Sequence, residues 1–203
     1  MKMYKTISLF MVLALMALLF TGCQSLPDPT ETVGAFWEGV KAYDYEAIAA
    51  TLGAETTVED IQTAIGSDLN RSMLGPAYSK MSYQCGEPEI DSDARTATVP
   101  VEVTYPDLGA IFTSVYESVL EPLVDKALEG ETTSQQEVEK LLMEGVVSEI
   151  EAEGAPMRTD SLSIDLVYAD ETGWGILVSE ELVGVLTGQI NEAFGEEAET
   201  PQS

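Results

Sequence analysis

Of 203 residues, 36 are acidic, 9 are basic and none is histidine, for a formal charge of −27. Such a charge opposes binding of nucleic acid or of anionic lipid and polymer by the bare surface, and it favours solubility and, as partners, cations or basic peptides. The lack of histidine removes the commonest general base, the Ser-His-Asp and Cys-His arrangements and the histidine-containing zinc sites, leaving carboxylates to carry any acid–base chemistry.

In chain order, the first feature is an export signal over residues 1–22. Lys2 and Lys5 form a positive leader, and Ile7 to Phe20 is an apolar run broken only by Ser8, a charge order that suits secretion. The run falls short of the roughly 20 apolar residues that a spanning helix needs. Phe20-Thr21-Gly22-Cys23 follows at once and resembles the lipobox of bacterial lipoproteins, with Phe20 where leucine is usual and Leu19 one place earlier. The resemblance implies cleavage before Cys23, lipidation of its thiol and anchoring on the extracytoplasmic face of a cell membrane, with residues 23–27 as a short linker. Cleavage also removes Lys2 and Lys5 and makes the mature chain still more acidic. With Cys23 acylated, Cys85 has no partner within the chain, so no disulfide framework is expected and Cys85 reads as a buried strand thiol.

Residues 28–194 read as one α+β domain, a length that allows a sizeable core. Asp28-Pro29-Thr30-Glu31 predicts a helix start, with Asp28 as N-cap, Pro29 at the first position and Glu31 closing a capping box. Val33, Phe36, Trp37, Val40 and Ile48 follow at helical spacing, with a break near Tyr43-Asp44 and Leu52 beyond it. A weaker helical pattern runs from Val58 to Met73 through Ile61, Ile65 and Leu69, and Gly75-Pro76 is expected to end it. The period then changes to two. Met81 to Ile90 predicts a strand interrupted near Cys85-Gly86, and Arg95 to Tyr105 alternates Val99, Val101, Val103 and Tyr105 with Pro100, Glu102 and Thr104. Pro100 lacks a ladder donor and suggests an edge or a bulge. The intervening Asp91-Ser92-Asp93 is a short acidic turn without the later ligands that calcium requires, and no glycine-rich phosphate loop occurs.

Residues 107–156 predict a helical hairpin inserted between strands. Asp107 caps a helix carrying Ile111, Val115, Val119 and Leu123, with a kink expected at Pro122; Ser134-Gln135-Gln136-Glu137 opens a second with Val138, Leu141, Leu142 and Ile150 on one face. Such a hairpin either packs on the sheet or serves as a lid or partner-binding arm. Leu162, Ile164, Leu166 and Tyr168, then Trp174, Ile176 and Val178 across Asp170-Glu171-Thr172-Gly173, predict a strand hairpin. Both Trp37 and Trp174 lie in phase with the apolar face of their elements and should be buried. Glu180 to Phe194 predicts a closing helix with Leu182, Val183, Leu186, Ile190 and Phe194, and residues 195–203 predict a disordered acidic tail.

Three stretches together, Phe36-Trp37-Glu38-Gly39-Val40-Lys41-Ala42-Tyr43-Asp44-Tyr45-Glu46-Ala47, Gly173-Trp174 and Val178-Ser179-Glu180-Glu181-Leu182 with Leu186-Thr187-Gly188, resemble the secreted nuclear-transport-factor-2-like lipoproteins of Gram-positive, clostridia-type bacteria. The resemblance implies a cone-shaped fold, a curved antiparallel sheet packed on N-terminal helices, here enlarged by the helical insert. It implies no reaction, because one fold hosts many functions. Three functions are consistent with the residues. The first is a non-catalytic module that binds a small apolar or amphipathic ligand, or a cell-envelope partner, in a cleft contacted by Trp37, Tyr105 and Tyr168 and by Val119 and Leu142 of the arm. The second is an interaction lipoprotein that docks another envelope protein through the arm. The third is an enzyme using Glu102 or Asp165 with Tyr105 or Tyr168; strand alternation places those carboxylates opposite the apolar face, so no catalytic residue is expected. Neither a metal nor a cofactor is expected.

Overall fold

The computed structural model describes residues 26–53, 56–65, 68–130 and 133–189. Among them run α1 (Pro29–Ala42), α2 (Tyr45–Thr51), α3 (Val58–Ile65), α4 (Asp68–Ser79), β1 (Ser82–Cys85), β2 (Glu89–Asp91), β3 (Thr96–Pro106), α5 (Leu108–Leu128), α6 (Gln135–Glu151), β4 (Met157–Ala169), β5 (Gly173–Ile176) and α7 (Glu180–Leu186). The expected export signal, Cys23, Ile190, Phe194 and the acidic tail lie outside the described residues. No helix among the described residues is long and apolar enough to cross a membrane. The architecture is α+β, an antiparallel five-stranded sheet curled into a half-barrel with helices against its apolar face.

Local chemistry starts and stops the first helices where the residues predict. The Asp28 carboxylate accepts the Thr30 N–H at 2.9 Å, so the cap is satisfied through Thr30 and Glu31 contributes only its charge to the first turn. Tyr43 takes the left-handed conformation at φ 57° and its N–H closes α1 onto Gly39 and Val40. Asp44 immediately caps α2 through the N–H groups of Glu46 and Ala47, at 3.1 and 3.0 Å. The expectation that Gly75-Pro76 ends the next helix fails. That stretch is two helices, and α4 continues through Pro76 to Ser79, because its last turn buries Leu74, Ala77 and Tyr78. Burying a side chain the size of Leu74 is worth roughly 1.5–3 kcal/mol and a methyl such as that of Ala77 about 0.8 kcal/mol, enough with Tyr78 to offset the ~3 kcal/mol that proline costs a helix interior.

In the sheet, β3 is central, with β1 and β2 on one side and β4 on the other. Pro100 is therefore not on an edge. Its carbonyl accepts the Gly86 N–H at 2.7 Å, and since N–H and C=O of one residue point the same way in an antiparallel strand, its missing donor faces the break between β1 and β2. The expected bulge is not in this strand either, since β3 pairs with β4 in unbroken register from Thr96 to Pro106. The register slips on the opposite strand, between Cys85 of β1, opposite Val101, and Glu89 of β2, opposite Thr98. Ala97, Val99, Val101, Val103 and Tyr105 of β3 and Leu162, Ile164 and Leu166 of β4 are buried on one face, while Glu102 and Asp165 are exposed on the other. Strand β4 begins at Met157, well before the expected Leu162. Cys85 is free and half-buried instead of buried.

The insert leaves and rejoins the sheet at paired residues. Pro106 lies opposite Met157, and Asp107 N–H donates to the Pro156 carbonyl at 3.0 Å. The hairpin of α5 and α6 is thus an excursion from a β3–β4 ladder that closes beneath it. Asp107 caps α5 through Ala110 N–H at 2.9 Å, and Ser134 caps α6 through Glu137 N–H at 3.3 Å. Helix α5 runs unbroken through Pro122 to Leu128. The two helices approach closely at Gly145, where a Cβ would meet Val115 Cγ1 at 2.6 Å. Leu141, expected on the apolar face of α6, is exposed, and Val146 is buried in its stead.

The end of the chain departs from expectation. Strand β5 stops at Ile176, Val178 is exposed, and α7 stops at Leu186. Gly188 and Gln189 adopt positive φ, 60° and 56°, which a continuing helix forbids. At Gly188 a Cβ would lie 2.5 Å from Leu108 Cγ, so glycine lets the turn pack against the start of α5.

Candidate functional site

An apolar cavity of about 250 Å³ opens among Phe36 and Val40 of α1, Ile48 of α2, Leu52, Ile61 of α3, Tyr78 of α4 and Val178, Leu182, Val183, Leu186 and Thr187 at α7. Its wall exists because the break at Tyr43-Asp44 turns α2 back beside α1, and because Ser179 Oγ accepts the Leu182 N–H at 3.1 Å and starts α7 across the gap. Val178 and Val183 are largely exposed at the rim. An apolar cavity of roughly 150 Å³ already admits benzene, while drug-sized ligands occupy about 300–1,000 Å³. The volume therefore suits a single ring system or a short acyl segment.

The polar groups in the wall are already satisfied. Tyr78 Oη donates to the Leu186 carbonyl at 2.8 Å, and Thr187 Oγ1 donates to the carbonyls of Val183 and Gly184 at 3.0 and 3.1 Å. Burial, with the neighbouring Tyr43 second, pushes the Tyr78 phenol far above its ordinary range, so it stays neutral. Burial and then Tyr45 push Tyr43 up to about 12. Among the described residues the cavity wall carries no carboxylate and no basic side chain, so what these residues offer a ligand is an apolar shape.

The residues expected to form a cleft are not brought together. Trp37 is fully buried, edge-on to Phe36 with centroids 5.1 Å apart and stacked on Tyr83 at 6.2 Å; its indole N–H has no acceptor among the described residues. Tyr168 sits at the β4–β5 end, edge-on to Trp174 and beneath the Arg95 guanidinium. Val119 and Leu142 are half-buried and pack against the core. The concave face of the sheet is filled by side chains, so the opening lies among helices instead. Trp174 is buried as expected, and its Nε1–H donates to the Pro27 carbonyl at 2.7 Å.

A second polar group does converge, around Tyr105. Its ring is buried and its hydroxyl donates to Asp160, whose carboxylate also accepts Arg158 Nε at 3.1 and 3.0 Å. Gln189, in the turn after α7, lies near enough to influence the ionisation of both Tyr105 and Asp160. Burial opposes ionisation of Asp160, but the hydrogen bonds from Tyr105 and Arg158 and the Arg158 charge outweigh it and hold the carboxyl below its usual range. Burial, then the bond to Asp160, pushes the Tyr105 phenol well above normal. The cavity touching Tyr105 measures only about 10 Å³, room for no substrate. Tyr105, Asp160 and Arg158 form a polar cluster that ties β3 to β4. Glu102 borders a shallow groove of about 350 Å³ on the outer face with Gln84, Pro100, Ser161 and Ser163. Asp165 accepts the Thr98 hydroxyl at 2.7 Å in the open. No group of three or more potential metal ligands occurs among the described residues.

The wall residues missed in the sequence carried a legible signal. Val178 and Val183 are apolar residues that flank a capping serine, and Ile61 belongs to a strongly amphipathic segment. Protein families, curated proteins and solved structures give no significant match to this chain, so the site rests on its own geometry.

Proposed function

We propose that this chain is a lipid-anchored, extracytoplasmic binding module that holds a small apolar or amphipathic molecule, without transforming it, in the cavity between α1–α4 and α7. The observation that carries this reading is the apolar cavity whose polar wall groups are internally satisfied. A ligand there is held by burial alone, at about 25 cal/mol per Å² of apolar surface. The curled sheet and N-terminal helices are compatible with a nuclear-transport-factor-2-like cone. The positive leader, apolar run and Cys23 at residues 2–23 support delivery to the outer face of a membrane.

The test is titration of the whole protein with a neutral naphthylamine dye, alongside native mass spectrometry for a copurifying apolar species. Val178→Trp at the exposed rim should block dye uptake while leaving the melting temperature unchanged. Equal dye binding by that variant, or absence of any dye or apolar adduct in the native protein, would reject the reading.

A further inference from the structure

Helix α5 carries two apolar stripes, and the fold uses only one. Ile111 and Val115 are buried and Val119 packs half-buried against the core, with Leu123 half-buried one turn further on. On another face Tyr116, Leu120, Val124 and Leu128 recur every four residues and are 48, 39, 54 and 82% exposed. The four form one ridge, about 18 Å long at 1.5 Å per residue. Beside it, each one place further along, stand Glu117, Glu121, Asp125 and Glu129, all exposed. Lys126 is the only basic side chain of α5. An apolar ridge and a parallel row of carboxylates therefore share the outer surface of the arm.

We infer that this ridge docks a cationic amphipathic helix of a partner protein, with apolar residues at three- or four-residue spacing flanked by Lys or Arg. The apolar ridge supplies the contact, and the flanking carboxylates select the charge. Helix packing at 8–10 Å between axes brings the partner's flanking side chains within reach of Glu117, Glu121 and Asp125. A second copy of this chain is the wrong occupant, because it presents the same carboxylate row and a net charge of −27, and like charges facing each other across an interface repel. The site is separate from the cavity and holds whether or not the cavity takes a ligand.

The experiment uses the full chain and a synthetic helical peptide with leucines on one face flanked by lysines, against a counterpart with glutamates in place of the lysines. Anisotropy should show binding of the lysine peptide that weakens with salt, and none of the glutamate peptide. Leu120→Ser/Val124→Ser/Leu128→Ser should weaken it at least about tenfold, as should Glu117→Gln/Glu121→Gln/Asp125→Asn. Neutralising Glu87, Glu89 and Asp91 should leave it within about twofold, since screening leaves distant charges little influence. All the changed positions are exposed, so circular dichroism should show unaltered folding. The inference is overturned if the distant neutralisation weakens binding equally, if the ridge variants bind normally, or if the glutamate peptide binds as well. Self-association of the unmodified protein, abolished by the triple serine variant, would assign the ridge to a second copy and equally overturn it.

Discussion

Tyr105 shows how a residue with a reactive side chain becomes structural. Paired with Asp160 instead of Glu102 or Asp165, and with almost no free volume beside it, it ties β3 to β4. The consequence is a pH dependence on both flanks. Asp160 has a depressed folded pKa, so its stabilisation is complete above the unfolded value of about 3.9 and is lost as pH falls through the folded one. Tyr78 and Tyr105 have raised folded pKa values, so each favours the folded state below about pH 10 and loses that contribution as pH rises beyond it. For Asp160→Asn, the melting temperature should lie below that of the unmodified protein at neutral pH, and the gap should close in acid. A gap that persists unchanged to about pH 2, well below the ordinary carboxylate range, would show that Asp160 acts through packing and not through its charge. Sequence could not supply this pairing, because Tyr105 and Asp160 are 55 positions apart and meet only through the offset β3–β4 register across the insert.

At the scale of elements, the helix starts at Asp28, Asp107 and Ser134 were legible because caps are local, each accepting an N–H within three residues. Asp44 and Ser179 cap in the same way, but periodicity marks them only as a break and as part of an apolar run. Ends were less legible where packing outweighs propensity, as at Pro76, or where a glycine turn intervenes, as at Gly188. The α5–α6 hairpin depends on one close approach. Gly145→Ala would place a methyl against the buried, rotamer-stiff Val115. Overpacking of this kind costs roughly 1–3 kcal/mol, against about 1 kcal/mol gained from helix propensity. A net loss of up to about 2 kcal/mol is expected, with faster hydrogen exchange confined to α5 and α6. Val115→Ala should relieve it, so the doubly changed protein should be more stable than the sum of the two single effects. Simple additivity would mean that the helices separate freely at this point.

For the whole molecule, the proposed membrane attachment and the proposed binding fall on different parts of the chain. Cys23→Ala should release the protein from the membrane fraction or leave it unprocessed, while dye uptake by the cavity stays within about twofold of normal, because lipid anchors act through their own buried CH₂ groups. Retention of a normally processed Cys23→Ala protein in the membrane would defeat the lipidation proposal and leave the cavity reading untouched. What sequence determined by itself was local or periodic: caps such as Asp28 and Ser134, the strand alternation that buries Val99, Val101 and Val103, and the α+β class, since each follows from neighbours a few residues apart. Tertiary structure decided where surfaces remained open. Leu182 and Tyr78 meet across a void while Trp37 and Tyr105 do not, and Val119 is covered while Leu120 is bare. Periodicity shows that a side chain is apolar, but whether another element arrives to cover it depends on the long-range path of the chain, and that path leaves the cavity and the outer ridge exposed.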